Sequence, residues 1–174
     1  MKDIRRDWER CVAFHGHECG GLTIGFLAAN YAMEILGLDF SEDEDVVCVT
    51  ENDACGVDAI QVLLGCSAGK GNLIFKIRGK QAFSFYNRKT DKSVRLVYNN
   101  AINFKKDGFE DAYLKAPKEF FDIKETTFVL PERARIFNSC DCEKCGEKTA
   151  ESMIRLEEGK KLCLDCFKNY TRFY

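Results

Sequence analysis

The sequence predicts an α+β fold, with a core of helices packed on a mainly antiparallel sheet and a small C-terminal treble-clef zinc finger. Helical and extended patterns follow in the order helix, helix, strand, helix, strands, which differs from the regular alternation of a βαβ protein. In addition, five of the ten cysteines crowd the last 35 residues. We therefore expect a core at residues 1–130, a linker at 131–139 and a zinc finger at 140–174.

Three segments have helical patterns. Residues 3–14 carry apolar side chains at helical spacing and predict a short amphipathic helix. Residues 22–36 are apolar almost all round and stop at Gly37, which indicates a buried helix with a glycine cap. Residues 57–64, after a turn at 51–56, predict a third helix. The second of these helices should be the centre of the core.

Strand patterns are rich in β-branched and aromatic residues and are bounded by turn residues. They lie at residues 46–50, 73–78, 81–86, 93–98 and 120–129. The third and fourth of these are expected to pair as a hairpin through residues 87–92, and the fifth to be an edge strand. Residues 108–115 predict a short helix that Pro117 ends.

Length and composition restrict the class of protein. A chain of 174 residues that is 45% hydrophobic buries one substantial core, and its net charge of −2 gives no global attraction to nucleic acid or anionic membrane. No apolar run approaches the roughly 20 residues that span a bilayer, and residues 1–8 are too polar for a signal peptide. We expect a cytoplasmic protein, in which ten cysteines act as metal ligands and thiols rather than as disulfides.

Both histidines lie in one short motif, Phe14-His15-Gly16-His17-Glu18-Cys19-Gly20-Gly21. Imidazole nitrogen and thiolate sulfur are the ligands that zinc, iron and copper prefer, which predicts a metal or a reactive thiol here. The structural alternative is a turn whose rings bond to the backbone before a buried helix.

Cys19 and Cys55 each precede a predicted helix, where unpaired backbone N–H groups favour the thiolate and would activate both thiols. If the two helix starts converge, these cysteines and the histidines form one catalytic or metal site of His15, His17, Cys19 and Cys55. Its metal ligands would be His17, Cys19 and Cys55. Carboxylates that could support the site are Glu51, Asp53 and Asp58. The alternative for Cys55 is a small buried hydrophobe, the role expected for Cys11 and Cys48.

The loop at residues 65–72 superficially resembles a phosphate-binding loop. Its glycine spacing is one residue short, Gly71 replaces the required Ser/Thr, and it connects a helix to a strand, so nucleotide hydrolysis is not expected. A backbone nest with Lys70, Asn72 and Cys66 would instead hold a small anionic ligand or cofactor.

Two CxxC pairs, Cys142 with Cys145 and Cys163 with Cys166, have the separation of a structural zinc site. The segment between them suits a hairpin and residues 165–174 a short helix, which together predict a treble clef. Cys140 is expected to be a spare thiol. Residues 132–174 hold nine basic and eight acidic residues, so a nucleic-acid partner is disfavoured and a staple or protein contact is favoured.

Charge is distributed unevenly along the rest of the chain. Residues 34–58 hold nine Asp or Glu and no Lys or Arg, whereas residues 75–95 hold seven basic residues against Asp91. Faces of opposite sign suit self-association, most simply as a two-fold homodimer.

Three motifs resemble, in order, those of the E-subunit family of formylmethanofuran dehydrogenase. They are the His-Gly-His motif, Glu51-Asn52-Asp53-Ala54-Cys55-Gly56-Val57-Asp58-Ala59-Ile60-Gln61 and Gly65-Cys66-Ser67-Ala68-Gly69-Lys70-Gly71-Asn72. The resemblance implies an α+β core, a dimer and a cleft near His15, His17, Cys19 and Cys55. The segment from Cys142 to Phe167 resembles the finger of small RNA-polymerase-binding regulators.

The resemblance also implies a link to molybdenum or tungsten enzymes that reduce carbon dioxide to a formyl group, although we expect the pterin-binding catalytic domain to belong to other subunits. Our first hypothesis is a metal-binding redox accessory protein that associates with dehydrogenase subunits, so it leaves open whether the chain is itself an enzyme. The alternative is a regulator whose finger contacts nucleic acid or polymerase and whose core senses a ligand. A hydrolase with Cys19 or Cys55 as nucleophile and His17 as base is a third hypothesis.

Overall fold

The computed structural model describes residues 3–101 and 112–172, and the chain divides into two compact units between Arg133 and Ala134. This boundary falls inside the predicted linker. The His-Gly-His motif belongs to the first unit and the two CxxC pairs to the second.

The first unit contains the three predicted helices: α1 (Ile4–His15), α2 (Gly20–Leu36) and α3 (Gly56–Leu64). Helix α1 begins where the Asp3 carboxylate accepts a hydrogen bond from the backbone N–H of Arg6 at 3.1 Å. Each helix is followed by a glycine with positive φ, at Gly16, Gly37 and Gly65. The glycine cap predicted at Gly37 is confirmed, and α1 and α3 end in the same way.

Five strands form one sheet in the order β2-β1-β3-β4-β5. Their bounds are β1 Val46–Thr50, β2 Leu73–Phe75, β3 Ala82–Asn87, β4 Lys92–Tyr98 and β5 Phe121–Lys124. All neighbours pair antiparallel except β1 and β2, which are parallel and joined by α3. The mainly antiparallel sheet is confirmed, and it includes one βαβ unit that the sequence did not indicate.

Three predicted elements differ in extent. Strand β2 ends at Phe75 rather than at Arg78, because its partner β1 ends at Thr50. Beyond Phe75, the Lys76 N–H still donates to the Thr50 carbonyl and the Arg78 N–H to the Glu51 carbonyl. Strand β5 covers only part of the predicted 120–129. The helix predicted at 108–115 lies largely outside the described residues, and its described end forms a 3₁₀ turn at Ala112–Leu114.

The main core lies between the helices and one face of the sheet. Its largest fully buried side chains come from both layers: Leu22, Phe26, Leu27, Ile60, Leu64, Phe83, Phe85 and Leu96. Trp8 on α1 stacks on Tyr113 with ring centroids 4.9 Å apart and meets Phe26 edge-on at 5.3 Å. These contacts fix α1 against α2.

Helices α2 and α3 approach so closely that their contact requires glycine. A Cβ at Gly25 would overlap the Gly56 carbonyl, and a Cβ at Gly56 would lie 2.9 Å from the Gly21 carbonyl oxygen. Because no side chain separates the helices here, their first turns are held side by side.

The second face of the sheet is covered by the segment that follows β5. Phe128 and Leu130 pack on Val47, Val49 and Tyr86, and the Tyr86 hydroxyl donates to the Phe128 carbonyl at 2.7 Å. The residues predicted to extend the edge strand therefore cross the sheet instead.

A buried ion pair joins the end of β1 to β4. Arg95 donates to both carboxylate oxygens of Glu51 at 2.6 and 3.0 Å, and Glu51 is 2% exposed. The hydrogen bonds to Glu51 raise the pKa of Arg95. Because removing one partner would leave a buried charge, the pair ties the residue after β1 to β4.

The second unit consists of two small hairpins, β6 (Ser139–Asp141) with β7 (Lys148–Ala150) and β8 (Arg155–Glu157) with β9 (Lys160–Leu162). The hairpin predicted between the CxxC pairs is confirmed as β8–β9. The helix predicted at 165–174 is not formed over its described part, 165–172. This short segment contains aromatic and β-branched residues and buries little apolar surface, so nothing offsets the cost of helix nucleation.

Among residues 3–101 and 112–172, the helices are too short or too polar to cross a membrane.

Replacing Gly25 with alanine should lower the free energy of unfolding by about 1–3 kcal/mol or more, because the added methyl would force α2 away from α3. Gly69→Ala is the matched control, since a Cβ there meets nothing within 4 Å. Denaturant unfolding followed by circular dichroism measures both variants. Equal midpoints for the two would show that the close approach is unnecessary.

Candidate metal centres

Four cysteine sulfurs of the second unit lie within 4.8 Å of one another: those of Cys142, Cys145, Cys163 and Cys166. Each CxxC pair follows the end of a hairpin strand, and Gly146 with φ 76° turns the chain after the first pair. The Cys163 amide donates to the Cys142 sulfur at 3.3 Å. The two predicted pairs therefore converge on one point.

The pKa values of Cys142, Cys145 and Cys166 are shifted in different directions. Backbone N–H groups of Cys145, Cys163 and Lys144 lower the pKa of Cys142 to about 6. The Glu147 N–H favours the thiolate of Cys145, but a hydrogen bond with Cys142 and burial together raise the pKa of Cys145. Burial and the neighbouring sulfurs raise the pKa of Cys166 to about 12. Backbone N–H groups thus favour the thiolate of Cys142, whereas a bound cation has to stabilise the thiolates of Cys145 and Cys166.

Four thiolates at this separation fit a tetrahedral zinc ion, which would staple a unit that has little core of its own. Only Leu162 and Phe167 add apolar side chains to the described cluster around the cysteines. Cys140 lies on β6, half-buried and outside the four-sulfur set, as predicted for a spare thiol.

A second group of donor atoms lies in the first unit, where His15, His17 and Cys19 are within 4.8 Å of one another. His15 is the last residue of α1, and Gly16 with φ 97° reverses the chain so that His17 and Cys19 return toward it. The ring centroids of the two histidines are 4.6 Å apart.

Cys19 is the N-cap of α2, and its sulfur accepts a hydrogen bond from the Leu22 N–H at 3.3 Å. Cys19 therefore lies at the start of a helix, as the sequence predicts. The His15 Nε2 atom lies 3.7 Å from the same sulfur. In the hydrolase hypothesis the neighbouring base would therefore be His15 rather than His17.

Asp58 orients His15. Its Oδ2 atom lies 2.7 Å from His15 Nδ1, and its Oδ1 atom accepts a hydrogen bond from Gln61 at 3.1 Å. This carboxylate fixes Nδ1–H as the donor and directs Nε2 toward Cys19. Of the three carboxylates considered from sequence, Asp58 is the one that contacts the cluster. The sequence analysis did not identify Gln61 as a partner of Asp58, although residues three apart on a helix such as α3 are neighbours.

Cys55 lies beside Cys19 but outside the three-donor group. Its backbone is already helical, with φ −47° and ψ −30°, and its side chain caps no amide. Burial and a hydrogen bond with Cys19 raise its pKa. The predicted activation of Cys55 as a thiolate is therefore wrong, because the helix start does not compensate the lost hydration.

A cavity of about 310 Å³ opens beside the cluster. Its wall includes His15, Asp53, Cys55, Asp58 and Phe75. Glu51, the third carboxylate considered from sequence, is instead paired with Arg95. The cluster is thus reached from a space with two carboxylates and one aromatic ring.

The predicted anion-binding loop has a different role. Asn72 is fully buried, with its amide donating to the Val46 carbonyl at 2.9 Å and accepting from the Ser67 N–H at 2.8 Å. Cys66 is also fully buried, and burial raises its pKa to about 12. Lys70 donates to the Ser41 carbonyl at 2.6 Å. These side chains hold the loop together, so the predicted ligand role of Asn72 and Cys66 is wrong.

The other two cysteines of the first unit, Cys11 and Cys48, are fully buried in the core, as predicted.

Residues 14–135 match the family described as FmdE, molybdenum formylmethanofuran dehydrogenase operon. The chain belongs to the FmdE family. Residues 135–172 match the prokaryotic DksA/TraR C4-type zinc finger, which agrees with the four-cysteine cluster. The resemblance that the three sequence motifs indicated is confirmed.

Two similar proteins extend the comparison. A probable S-adenosyl-L-methionine-binding protein of Archaeoglobus fulgidus is 32% identical over 92% of this chain, and the chain spans 52% of that relative. A tungsten formylmethanofuran dehydrogenase FmdE-like protein from Syntrophus aciditrophicus superposes with a TM-score of 0.66 at 21% identity, over 94% of this chain and 91% of that one. The second similarity shows that the chain has a known fold.

Zinc binding to the finger should release at least two protons near neutral pH. Cys145 and Cys166 have raised pKa values and must lose protons to bind, whereas Cys142, with a pKa of about 6, is already a thiolate. Titration calorimetry in buffers of different ionisation enthalpy counts the protons. Below pH 6 the count should rise as Cys142 becomes protonated; a count of zero or one near neutral pH would contradict the assignment.

Proposed function

We propose that the FmdE domain is a metal-binding accessory module for molybdenum or tungsten formyl- or formate-dehydrogenase chemistry. The observation that carries the proposal is the hydrogen bond from His15 to Asp58, which directs a ring nitrogen at Cys19. A carboxylate behind a histidine is the arrangement that orients metal-bound imidazoles. The family name supports the link to a dehydrogenase.

The donor set suits a borderline metal such as zinc or iron. His15 would bind through Nε2, His17 through one ring nitrogen and Cys19 through its sulfur. Three protein ligands are the number found in catalytic zinc sites, where a further position remains for water or substrate. A metal held in this way would supply Lewis-acid chemistry to a ligand in the adjoining cavity.

The chain's own residues prepare the site. Asp58 keeps the Nδ1 proton on His15, and Gln61 limits rotation of the Asp58 carboxylate. The Leu22 N–H donates to the Cys19 sulfur and holds it at the start of α2. The loop before α3 gives the cavity its wall and is held by Asn52, whose amide donates to the Lys80 carbonyl and accepts from the Ala54 N–H.

S-adenosylmethionine is a second candidate ligand, for which the cavity itself provides support. A sulfonium cation would be attracted by Asp53 and Asp58 and by the face of Phe75. The name of the Archaeoglobus fulgidus relative points to the same molecule. This candidate would make the domain a binding module that uses the cavity rather than a metal.

Metal analysis of the loaded protein tests the first proposal. The full chain should retain about two metal equivalents after desalting, one in the finger and one in the FmdE domain. His17→Ala and Cys19→Ser should each reduce this to about one, because each removes a donor. Glu18→Gln is the matched control: this exposed side chain lies between the two donors but outside the donor group. One equivalent in every protein would refute the second site.

Calorimetric titration tests S-adenosylmethionine as a ligand of the cavity. S-adenosylmethionine should bind more than about tenfold more tightly than its neutral thioether analogue, S-adenosylhomocysteine, and Asp53→Asn should reduce that preference. Equal affinity for the two molecules, or binding of neither, would refute recognition of the sulfonium cation by the cavity.

A further inference from the structure

Cys19 and Cys55 lie on the same side of Gly21. A Cβ placed on Gly21 would be 3.9 Å from the Cys19 sulfur, 3.6 Å from the Cys55 sulfur and 3.1 Å from the Cys55 Cβ. The absence of a side chain at Gly21 therefore leaves room beside both thiols.

The backbone holds this pair together. Cys19 is the N-cap residue of α2 and Cys55 that of α3, and the two helices are in direct contact through Gly25 and Gly56. The loop before Cys55 is fixed in turn by the buried side chain of Asn52. The proximity of the two sulfurs is thus imposed by helix packing rather than by mobile side chains.

Accessibility separates this pair from the other thiols of the first unit. Cys19 and Cys55 are half-buried, and Cys55 lines the 310 Å³ cavity. Cys11, Cys48 and Cys66 are 0% exposed. A small oxidant that enters the cavity would therefore reach the adjacent pair before the core thiols.

We propose that Cys19 and Cys55 form a reversible disulfide under peroxide, and that this disulfide releases the metal of the His15, His17 and Cys19 site. The inference rests on the proposed metal site. Oxidation removes Cys19 as a ligand and leaves two imidazoles, which hold an ion more weakly. The site would then be loaded only under reducing conditions, which suits an accessory protein of a reductive enzyme.

The chemistry balances with one peroxide. One thiol of the pair is oxidised to a sulfenic acid as hydrogen peroxide is reduced to one water, and the other thiol then attacks that sulfur and releases a second water. In the metal-free pair two S–H bonds and one O–O bond break, and one S–S bond and two O–H bonds form. In the loaded site the bond from the metal to Cys19 breaks in place of one S–H bond, and solvent supplies the missing proton. A dithiol reductant reverses the step by exchange, which returns both thiols.

The test uses the full chain loaded with zinc and treated with stoichiometric hydrogen peroxide. Free thiols are then alkylated, the protein is digested without reduction, and mass spectrometry identifies linked peptides. Retained zinc is measured in the same samples. Cys55→Ser keeps the three donors but cannot form the disulfide, and Cys140→Ser is the control for a cysteine outside both donor groups.

We expect a peptide that links Cys19 to Cys55 in the wild type and in Cys140→Ser. Both proteins should lose about one equivalent of zinc more than Cys55→Ser, and added dithiol followed by zinc should restore it. Zinc lost from the finger is common to all three proteins, so the difference reports the FmdE domain. Cys55→Ala repeats the comparison with a smaller, apolar side chain.

Failure of the disulfide and failure of the proposed metal site give different results in this test. If the reduced wild type binds a second equivalent but no Cys19–Cys55 peptide forms, the disulfide is refuted and the proposed metal site stands. If the peptide forms but the reduced protein never binds a second equivalent, the proposed metal site fails and the release of metal fails with it. Equal zinc loss from wild type and Cys55→Ser would also overturn the proposal.

Discussion

The contact between Gly25 on α2 and Gly56 on α3 is the constraint on which the site of the FmdE domain depends. Because the two helices meet without intervening side chains, their first turns lie side by side. Cys19 caps one helix and Asp58 lies in the first turn of the other, so the contact places the candidate ligand of one helix beside the orienting carboxylate of the other. His15 then completes the group from the end of α1.

The two clusters of donor atoms converge by different means. In the finger, neighbouring residues of two CxxC turns supply all four donors, and the unit has little apolar packing without an ion. In the FmdE domain the donors are positioned by a core that is already complete, with the Glu51–Arg95 pair fixing the preceding strand. A bound zinc ion should therefore add more to the stability of the finger than any ion would add to the FmdE domain.

Local patterns account for what the sequence predicted correctly. Helix caps, strand composition and the CxxC spacing depend on neighbouring residues, so α1 to α3, the β3–β4 hairpin and the four-cysteine cluster were found. The errors came from tertiary context. Burial, which spacing does not show, made Asn72 and Cys66 structural and raised the pKa of Cys55. The homodimer inferred from charge distribution and the cytoplasmic location stay predictions.

Cys19 takes part in three local arrangements of the FmdE domain. It is at once the cap of α2, a neighbour of His15 and a neighbour of Cys55, and a single sulfur cannot serve a metal and a disulfide together. Cys55 lies outside the donor group of His15, His17 and Cys19, so in the proposed site Cys19 would bind the metal and Cys55 would not. The same arrangement that excludes Cys55 from the donor group would therefore keep it available as the disulfide partner that displaces a metal from the proposed site.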